Sequence, residues 1–465
     1  MNVFLTHAYY LDEDPKEQLI MKPYVPLGVL YISAFLEMNG IPNKVFDSTF
    51  SSFEIQCKSL VESRPKIIGI YVNLMTKLNV LRLIKYIKNE SVFAETKIVL
   101  GGPEVKYSAE NFLKAGADFV VTGEGEETML ELTRAIFNNQ NDFSNIESIA
   151  WYNGFEYIQT NPRKNIRDIN TLPFPAREKV DLNLYFNAWK LRHGESAISV
   201  STMRGCPYTC KWCSRAVYGQ SYRRRDPVLV VDELEWIQEH YQVDTAWFVD
   251  DVFTISHKWL QEFHDEVLKR NLKIRFECIT RADRMNDAVI TLLKNSGCFR
   301  VWIGAESGSQ KIIDAMDRRV EINQVRSMIK KSREAGLQAG TFIMVGYPGE
   351  TEEDIVETLE HLKISDPDYY TITVAYPIRG TPLYNETEKD FTRLPDWSTE
   401  TDRQIDFRRT YSREYYDYAI RWIANEVALH KSKIHNGPLN RRAIYYLKSL
   451  AARGAMKVKK MQSVS

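Results

Sequence analysis

Residues 204–213 read Arg-Gly-Cys-Pro-Tyr-Thr-Cys-Lys-Trp-Cys, which separates three thiols, Cys206, Cys210 and Cys213, by three residues and then by two. Structural zinc and cubane sites normally take four protein ligands, whereas a site with three ligands keeps one position for water or substrate. None of the other three cysteines stands close to this stretch in sequence. The stretch therefore predicts a metal centre with three thiolate ligands, for which an iron-sulfur cluster and a zinc loop are the alternatives.

Composition limits the class of protein. The 465 residues are 44% apolar, which is enough for two to four domains with large cores. Lysine plus arginine equals aspartate plus glutamate, at 61 each, so no overall charge attracts nucleic acid. The sequence has no secretory leader pattern and no apolar run long enough for a transmembrane segment. We expect a cytoplasmic protein in a reducing compartment, without a nucleic-acid partner.

The first 140 residues alternate β-rich runs with amphipathic stretches, a pattern typical of a doubly wound parallel sheet. Helices are predicted at 26–38 and 77–88. The predicted strands are 2–6, 44–47, 67–72, 97–100 and 119–122. In such a sheet the ligand binds at the carboxyl ends of the strands.

Short polar and glycine-rich segments follow the predicted strands of residues 1–140. Glycine lets a flat cofactor approach the backbone closely, and polar side chains at the same edge can bind its substituents. No G-x-G-x-x-G follows the first strand, so a dinucleotide is not expected. The predicted cofactor-binding residues of this edge are Ser48, Asn73, Gly101, Gly102, Gly123 and Glu124.

Three further regions follow. Residues 141–193 predict a linker with a small β-like piece at 148–152, and residues 386–465 predict a helical extension with helices at 411–430 and 441–460. Residues 194–385 contain six strand-helix units, which indicates a partial barrel and not the eight units of a closed one. The predicted barrel strands are 197–202, 245–249, 273–278, 300–304, 339–345 and 370–374.

Polar residues stand at or near the ends of most predicted barrel strands, where cofactor and substrate groups collect. A carboxylate can accept hydrogen bonds from an ammonium or a ribose, an arginine can pair with a carboxylate, and a tryptophan can pack on a flat base. Such residues can also be helix caps or surface ion pairs. The predicted cofactor-binding residues of this rim are Trp212, Asp250, Glu277, Arg281 and Glu306.

The cysteine stretch resembles CxxxCxΦC, the signature of the radical S-adenosylmethionine (SAM) enzymes, with Trp212 as the aromatic Φ. The resemblance implies a [4Fe–4S] cluster held by Cys206, Cys210 and Cys213, with SAM on the fourth iron and a 5′-deoxyadenosyl radical as the reactive species. It also implies a low-potential electron donor such as flavodoxin or ferredoxin. Segments 302–310 and 342–351 are similar to those that line the SAM pocket in that family.

Segments 24–28, 99–104 and 121–128 are similar to the cobalamin-binding domain that precedes the radical domain in one branch of the family. That branch includes methyltransferases and the anaerobic magnesium-protoporphyrin cyclase. The resemblance implies bound cobalamin. No D-x-H-x-x-G motif occurs and His7 is the only histidine of this domain, so the lower cobalt face is expected to lack the histidine ligand of that motif.

The predicted function is a cobalamin-dependent radical SAM enzyme that methylates an unactivated carbon of a small-molecule or lipid metabolite. The first alternative is radical cyclisation, rearrangement or C–C bond formation without net methylation. The second is a non-catalytic iron-sulfur or zinc protein. The basic, aromatic tail is interpreted as a helical cap of the barrel, with a lid or lipid-facing surface as the alternative.

Overall fold

The computed structural model describes residues 2–464. The chain forms two compact units. The first contains the residues up to Pro207 together with Ser214–Trp247 and Pro395–Thr401, and the second contains Tyr208–Cys213, Phe248–Leu394 and the residues from Asp402 onward. The cysteine stretch therefore contributes Cys206 to the first unit and its other two thiols to the second.

A seven-stranded sheet in the order β2-β1-β3-β4-β5-β6-β7 forms the centre of the first unit. Its strands are β1 (Val3–His7), β2 (Asn43–Phe46), β3 (Ile67–Tyr71), β4 (Lys97–Gly101), β5 (Phe119–Val121), β6 (Ile149–Asn153) and β7 (Glu156–Gln159). The helices are α1 (Pro15–Ile20), α2 (Leu27–Met38), α3 (Phe53–Ser63), α4 (Lys77–Asn89), α5 (Ala109–Lys114), α6 (Glu126–Phe137), α7 (Leu182–His193) and α8 (Pro227–His240).

The five predicted strands of this sheet are confirmed to within one residue at each end. Neighbours among β1 to β5 pair in parallel, and all five residues of β1 are buried, as expected for a sheet covered on both faces. The predicted linker 141–193 contains more structure than expected. Its strands β6 and β7 extend the sheet in antiparallel fashion, and α7 follows them. The domain boundaries drawn from sequence stay predictions.

Later in the chain the strands are β8 (Ala197–Val200), β9 (Met203–Arg204), β10 (Arg223–Arg224), β11 (Thr245–Phe248), β12 (Phe276–Thr280), β13 (Cys298–Ile303), β14 (Gln338–Val345), β15 (Tyr369–Val374), β16 (Phe391–Arg393) and β17 (Asp406–Phe407). A six-stranded sheet has the order β15-β14-β13-β12-β11-β8, and β12 to β15 pair in parallel. The helices are α9 (His257–Lys269), α10 (Asp287–Asn295), α11 (Gln310–Ala315), α12 (Ile322–Glu334), α13 (Glu352–Ser365), α14 (Pro382–Thr387), α15 (Arg413–Ile434) and α16 (Leu439–Val464).

The prediction of a partial barrel of six strands followed by a helical extension is confirmed, with one shifted strand. The third barrel strand was predicted at 273–278 but runs from Phe276 to Thr280. Its pairing with β13 begins at Phe276, and the register shifts directly afterwards. Glu277 is consequently the second residue of β12, so its predicted place at the carboxyl end of the strand is wrong.

Local sequence explains where the helices begin. Pro227 starts α8 behind Asp226, whose side chain accepts the backbone N–H of Val228. Thr351 and Asp354 form a reciprocal capping box at the start of α13. Within residues 2–464, no helix combines the length and apolar character needed to cross a membrane.

Candidate functional site

The cysteine loop of the second unit is fixed by its backbone. Lys211 donates its N–H to the carbonyl of Met316 (3.1 Å), and its own carbonyl accepts the N–H of Leu383 (2.9 Å). The side chain of Trp212 packs against a small core that includes Met316, Leu383 and Tyr347. These contacts hold Cys210 in a buried position and Cys213 in a half-buried one.

Two guanidinium groups surround the buried thiol of Cys210. Its Sγ lies 3.8 Å from Nη1 of Arg281 and 3.9 Å from Nη1 of Arg318. Arg281 is fixed by Asp283, by the carbonyl of Arg318 (2.7 Å) and by the ring of Tyr208, which lies 3.8 Å from the guanidinium carbon. N–H donors at a cysteine sulfur stabilise the thiolate and tune a bound cluster. The structure thus joins Arg281 to a cysteine, which the sequence did not predict.

Glu306 lies beside the same arginine pair. Its Oε1 is 3.6 Å from Nη2 of Arg318, which also donates to the carbonyl of Gly304 (2.7 Å). Burial raises the pKa of Glu306, while Arg318 and Arg281 oppose that rise. The group is therefore a carboxyl with a 12% exposed side chain next to cations, in the type of environment where functional groups with shifted pKa values are found.

The backbone around Glu306 is unusual. Its φ is 68°, in the left-handed region that non-glycine residues rarely adopt. Its N–H donates to Phe342 (2.9 Å), and its carbonyl accepts from Met344 (2.7 Å), which locks this conformation against β14. A Cβ added to Gly304 would lie 2.4 Å from Nη2 of Arg318 and 2.7 Å from Oε1 of Glu306. Glycine at 304 therefore allows the two side chains to meet.

Asp250 and Glu277 were both predicted at the rim of the barrel, but only Asp250 lies beyond the carboxyl end of its strand. Asp250 is buried and follows β11 by two residues, as predicted. Glu277 instead accepts hydrogen bonds from Arg300 Nη1 and Trp302 Nε1, both at 3.0 Å. These donors stabilise a buried carboxylate within the sheet, so Glu277 already has protein partners, and its cofactor contact stays a prediction.

Cys206 is approached through a tight turn of the first unit. Gly205 has φ 82°, and a Cβ there would lie 2.3 Å from Oγ of Ser221, so only glycine fits. The preceding Arg204 belongs to β9, which pairs with β10. Its guanidinium binds Glu124 (3.0 Å) and Glu126 (2.5 Å), all three side chains being buried.

The three cysteines suit a cluster by their chemistry. None of the six cysteines is in a disulfide. In the part of the chain that the structure describes, no three Cys, His, Asp or Glu side chains are already gathered in a metal-binding arrangement. Whether the site suits a cluster therefore depends on the chemistry of its ligand atoms. Three thiols lie within eight residues of sequence, and one of them faces two arginine N–H groups. This donor set matches iron-sulfur chemistry with one iron left open.

Glycines at the carboxyl edge of the first sheet differ in the space around them. A Cβ added to Gly101 would meet nothing within 4 Å, and the backbone there needs no special conformation. Gly102 has φ 111°, and its Cβ would lie 2.4 Å from the carbonyl oxygen of Val72. A Cβ on Gly123 would lie 3.2 Å from Oγ of Ser148. Gly101 is consequently an open position at this edge, whereas Gly102 is required by the turn itself.

The polar residues predicted at this edge already have protein partners. The Oγ of Ser48 contacts Nδ1 of His7 and the carbonyls of His7 and Tyr9. Asn73 caps a turn by accepting the backbone N–H groups of Met75 and Thr76. Each residue therefore shapes the loop that it occupies.

Glu124 is engaged on both carboxylate oxygens. One oxygen binds Arg204, and the other accepts from Arg223 Nη1 (2.6 Å) and from the N–H of Ile166 (2.7 Å). The carboxylate therefore connects the loop after β5 to β9 and β10 within the first unit. Two arginines of the basic run 223–225 are thus engaged inside the protein: Arg223 pairs with Glu124, and the buried Arg225 pairs with Glu233.

Two family models match the chain in the order that these features suggest. The B12 binding domain matches residues 21–133, and the Radical SAM superfamily matches residues 200–362. The chain therefore combines a B12 binding domain with a radical SAM domain. These two domains imply a [4Fe–4S] cluster, SAM and cobalamin, as predicted.

This radical SAM enzyme has named relatives with several activities. It is 28% identical over 369 residues to an uncharacterized methyltransferase of Pyrococcus horikoshii, covering 77% of each chain. It is 26% identical to the anaerobic magnesium-protoporphyrin IX monomethyl ester cyclase of Rubrivivax gelatinosus, covering 78% of this chain and 66% of the relative. A third relative, the hopanoid C-3 methylase of Methylococcus capsulatus, is 23% identical, and the match covers 84% of this chain and 73% of the relative.

Solved structures confirm the fold of the radical SAM enzyme. The methyltransferase TsrM from Kitasatospora setae, with cobalamin and a [4Fe–4S] cluster bound, superposes with a TM-score of 0.70 at 18% identity, covering 84% of this chain and 75% of that chain. OxsB with aqua-cobalamin bound gives a TM-score of 0.73 at 16% identity, and the match covers 99% of this chain and 72% of the OxsB chain.

Sequence reasoning missed two arginines of this enzyme. Arg318 follows α11 in a short Asp-Arg-Arg stretch that resembles an ordinary surface turn, and only the fold brings it to Cys210 and Glu306. Arg204 directly precedes the Gly-Cys of the motif, and this adjacency was the available signal. Its partners are 78 and 80 residues away, so no local pattern identifies them.

Proposed function

We propose that this enzyme transfers a methyl group to an unactivated carbon of a small-molecule or lipid metabolite. The observation that carries the proposal is the presence of a B12 binding domain and a radical SAM domain in one chain. Relatives named as methyltransferases or methylases support it. When bound, the cluster and SAM supply a 5′-deoxyadenosyl radical, and cobalamin supplies a methyl group.

Cys206, Cys210 and Cys213 are proposed as the cluster ligands. Replacing any one by Ala should remove iron and abolish reductive cleavage of SAM, because three ligands already leave one iron open. Cys57→Ala is the matched control, since this buried thiol lies in α3 and should retain full iron. Iron loss in the control would contradict the assignment.

The residues proposed to bind SAM are Glu306, Arg318, Trp212 and Asp250. Arg318 is almost fully buried, and its Nε has no hydrogen-bond partner among the described residues. A SAM carboxylate can accept from such a group, and Glu306 can accept from the SAM ammonium or ribose. Arg281 is now proposed as a donor to Cys210, in place of its predicted contact with SAM.

The proposed cobalamin edge includes Gly101, Gly123 and the loops that Ser48, Asn73 and Glu124 hold. We expect that His7 does not ligate cobalt, because both of its ring nitrogens have protein partners. Its Nε2 contacts Oδ1 of Asp47 (2.9 Å), and its Nδ1 contacts Ser48 (3.1 Å). Although burial raises the pKa of Asp47, hydrogen bonds from His7 and Tyr185 lower it overall, which favours an ionised carboxylate beside His7. The Co(II) spectrum should therefore lack nitrogen splitting.

Cyclisation or rearrangement without net methylation is the second candidate function. It is supported by the similarity to magnesium-protoporphyrin cyclases from three organisms. Both reactions begin with hydrogen abstraction from substrate, so both need the same cluster and SAM site.

Isotope transfer distinguishes the two candidates. Anaerobically reconstituted enzyme should be incubated with methyl-labelled SAM and panels of small-molecule and lipid substrates. Methyl transfer predicts label in the product together with 5′-deoxyadenosine. A product without label, formed with 5′-deoxyadenosine, would reject methyl transfer in favour of the second candidate.

Radical SAM enzymes need a reductant as well as a substrate. We propose flavodoxin or ferredoxin as the electron donor and the cytoplasm as the place of action. Each purified donor with its reductase should support SAM cleavage in the absence of dithionite. Failure of both would reject this choice of donor.

A further inference from the structure

Helix α16 has a one-sided charge. Its 26 residues include seven lysines and arginines and no aspartate or glutamate. The chain as a whole has equal numbers of acidic and basic residues. The positive charge of α16 is therefore a local property of this helix.

One face of α16 packs on the rest of the second unit, to which the helix belongs. Ser449, Ala452 and Met456 are buried, and their spacing of three and four places them on one face of the helix. Ser449 donates to Glu426 of α15, and the guanidinium of Arg453 lies 4.8 Å from the ring centre of Trp422. These contacts fix which side of α16 faces outward.

The opposite face carries an apolar stripe, defined here as Leu447, Leu450, Val458 and Met461. Their exposed fractions are 63%, 50%, 49% and 67%. With the exposed Gly454 between them, they follow the three-and-four spacing of one helical face. A stripe of large apolar side chains in water, on a helix already packed on its other side, indicates a surface for a partner.

The four lysines of α16 divide into two groups. Lys459 pairs with Glu414, and Lys460 lies 2.7 Å from Glu352, so these two help hold α16 to the protein. Lys448 and Lys457 are exposed, and they are the sequence neighbours of Leu447 and Val458. Aliphatic stems of such lysines can lie along apolar surface while their ammonium groups reach outward to phosphates.

We infer that the apolar stripe of α16 docks the enzyme on an anionic lipid surface. Charge complementarity selects this occupant, because an anionic membrane offers both an apolar layer and negative headgroups. A second copy of the chain is a poorer match, since two such helices would bring uncompensated positive charge together. This inference goes beyond methyl transfer and does not depend on it.

Vesicle co-sedimentation of the full chain tests the apolar part. Wild-type protein should bind vesicles of phosphatidylcholine with phosphatidylglycerol more tightly than pure phosphatidylcholine, and salt should weaken the binding. The double substitution Leu447→Gln and Leu450→Gln should weaken it about tenfold or more, because two leucines no longer enter the lipid. Leu268→Gln is the matched control, a 56% exposed leucine on α9 that should leave binding unchanged.

A second pair of variants tests the contribution of the exposed lysines of α16 to lipid binding. Lys448→Gln with Lys457→Gln should weaken binding to anionic vesicles about 25-fold, since each cation contributes about fivefold. Lys258→Gln with Lys330→Gln removes the same charge from α9 and α12 and should have no effect. Circular dichroism confirms that each variant is folded.

Three outcomes would overturn the inference. The first is wild-type protein that does not bind anionic vesicles in preference to neutral ones. The second is equal weakening by the control variants. The third is a wild-type dimer, measured by analytical ultracentrifugation, that the leucine variants convert to monomer while vesicle binding is absent. That result would make a second copy the occupant of the stripe.

Discussion

Nη1 of Arg204 lies 3.0 Å from Oε1 of Glu124, and both side chains are buried although the residues are 80 positions apart. Arg204 stands two residues before a proposed cluster ligand, while Glu124 belongs to the loop after β5. The ion pair therefore ties the turn that presents Cys206 to the edge of the sheet where the proposed cobalamin site lies, all within the first unit.

Removing Arg204 should destabilise this unit strongly. Arg204→Gln leaves the buried Glu124 and Glu126 with one cation fewer, and breaking a buried ion pair costs about 3–5 kcal/mol. The free energy of unfolding in urea measures the loss. Lys258→Gln breaks an exposed pair with Glu262 and should cost about 0–1 kcal/mol. Equal losses in the two variants would contradict a buried network.

Arg318 is expected to affect the cluster and not only the fold. Arg318→Gln removes a charged N–H donor 3.9 Å from Cys210 Sγ, so SAM cleavage should fall about 10- to 100-fold and the reduction potential of the cluster should become more negative. A redox titration by paramagnetic resonance measures the potential. Arg319→Gln alters the exposed neighbour of Arg318 and should change neither quantity. An unchanged potential in Arg318→Gln would refute the contact.

Glu306→Gln should weaken SAM binding by roughly 1.5–3 kcal/mol, because the amide keeps the size of the side chain but loses its charge. Iron content should stay the same. Calorimetry under anaerobic conditions gives the dissociation constant, and Glu321→Gln is an exposed control on the same unit. If the two variants bind SAM equally well, Glu306 lies outside the SAM site.

The two neighbouring glycines after β4 should behave differently. Gly101→Val points a side chain into open space and should lower cobalamin content without affecting stability or iron. Gly102→Val should destabilise the unit itself, because its Cβ would collide with the carbonyl of Val72 in a backbone conformation that valine rarely adopts. Visible absorbance and thermal unfolding separate the effects. Normal cobalamin content in Gly101→Val would remove this edge from the proposed site.

The environment of Glu350 should make the free energy of unfolding depend on pH. It is fully buried, its Oε2 accepts the N–H of Gly346, its Oε1 has no partner among the described residues, and burial raises its pKa from 4.5 to about 8. Between these values the folded protein keeps a proton that the unfolded chain has lost. The free energy of unfolding should therefore fall by roughly 1.4 kcal/mol per pH unit from this group as the pH rises from 4.5 towards 8.

The variant Glu350→Gln removes that proton equilibrium. Its loss of stability between about pH 5.5 and about pH 7.5 should be smaller than that of the wild type, measured by urea unfolding. Glu321→Gln serves as the exposed control and should follow the wild type. A Glu350→Gln variant with an unaltered pH profile would show that Glu350 is ionised in the folded protein.

The sequence by itself determined the elements and the cofactor family. Short β-rich apolar runs alternate with amphipathic helical stretches along the chain. This alternation predicted strands such as β1 and β14 to within a residue, because hydrophobic periodicity is a local property of the chain. The spacing of Cys206, Cys210 and Cys213 predicted a three-thiolate centre for the same reason. The resemblance in motif order then predicted both family assignments.

Only the tertiary structure decided which charged residues meet. Glu277 was predicted at the rim but bonds Arg300 and Trp302 within the sheet, since a shift of β12 by a few residues changes which end of the strand a side chain occupies. Arg318 reaches Cys210 across 108 positions, and no sequence period encodes such a separation. Buried ion pairs form where the packing of distant elements excludes water, and that packing is a property of the whole fold.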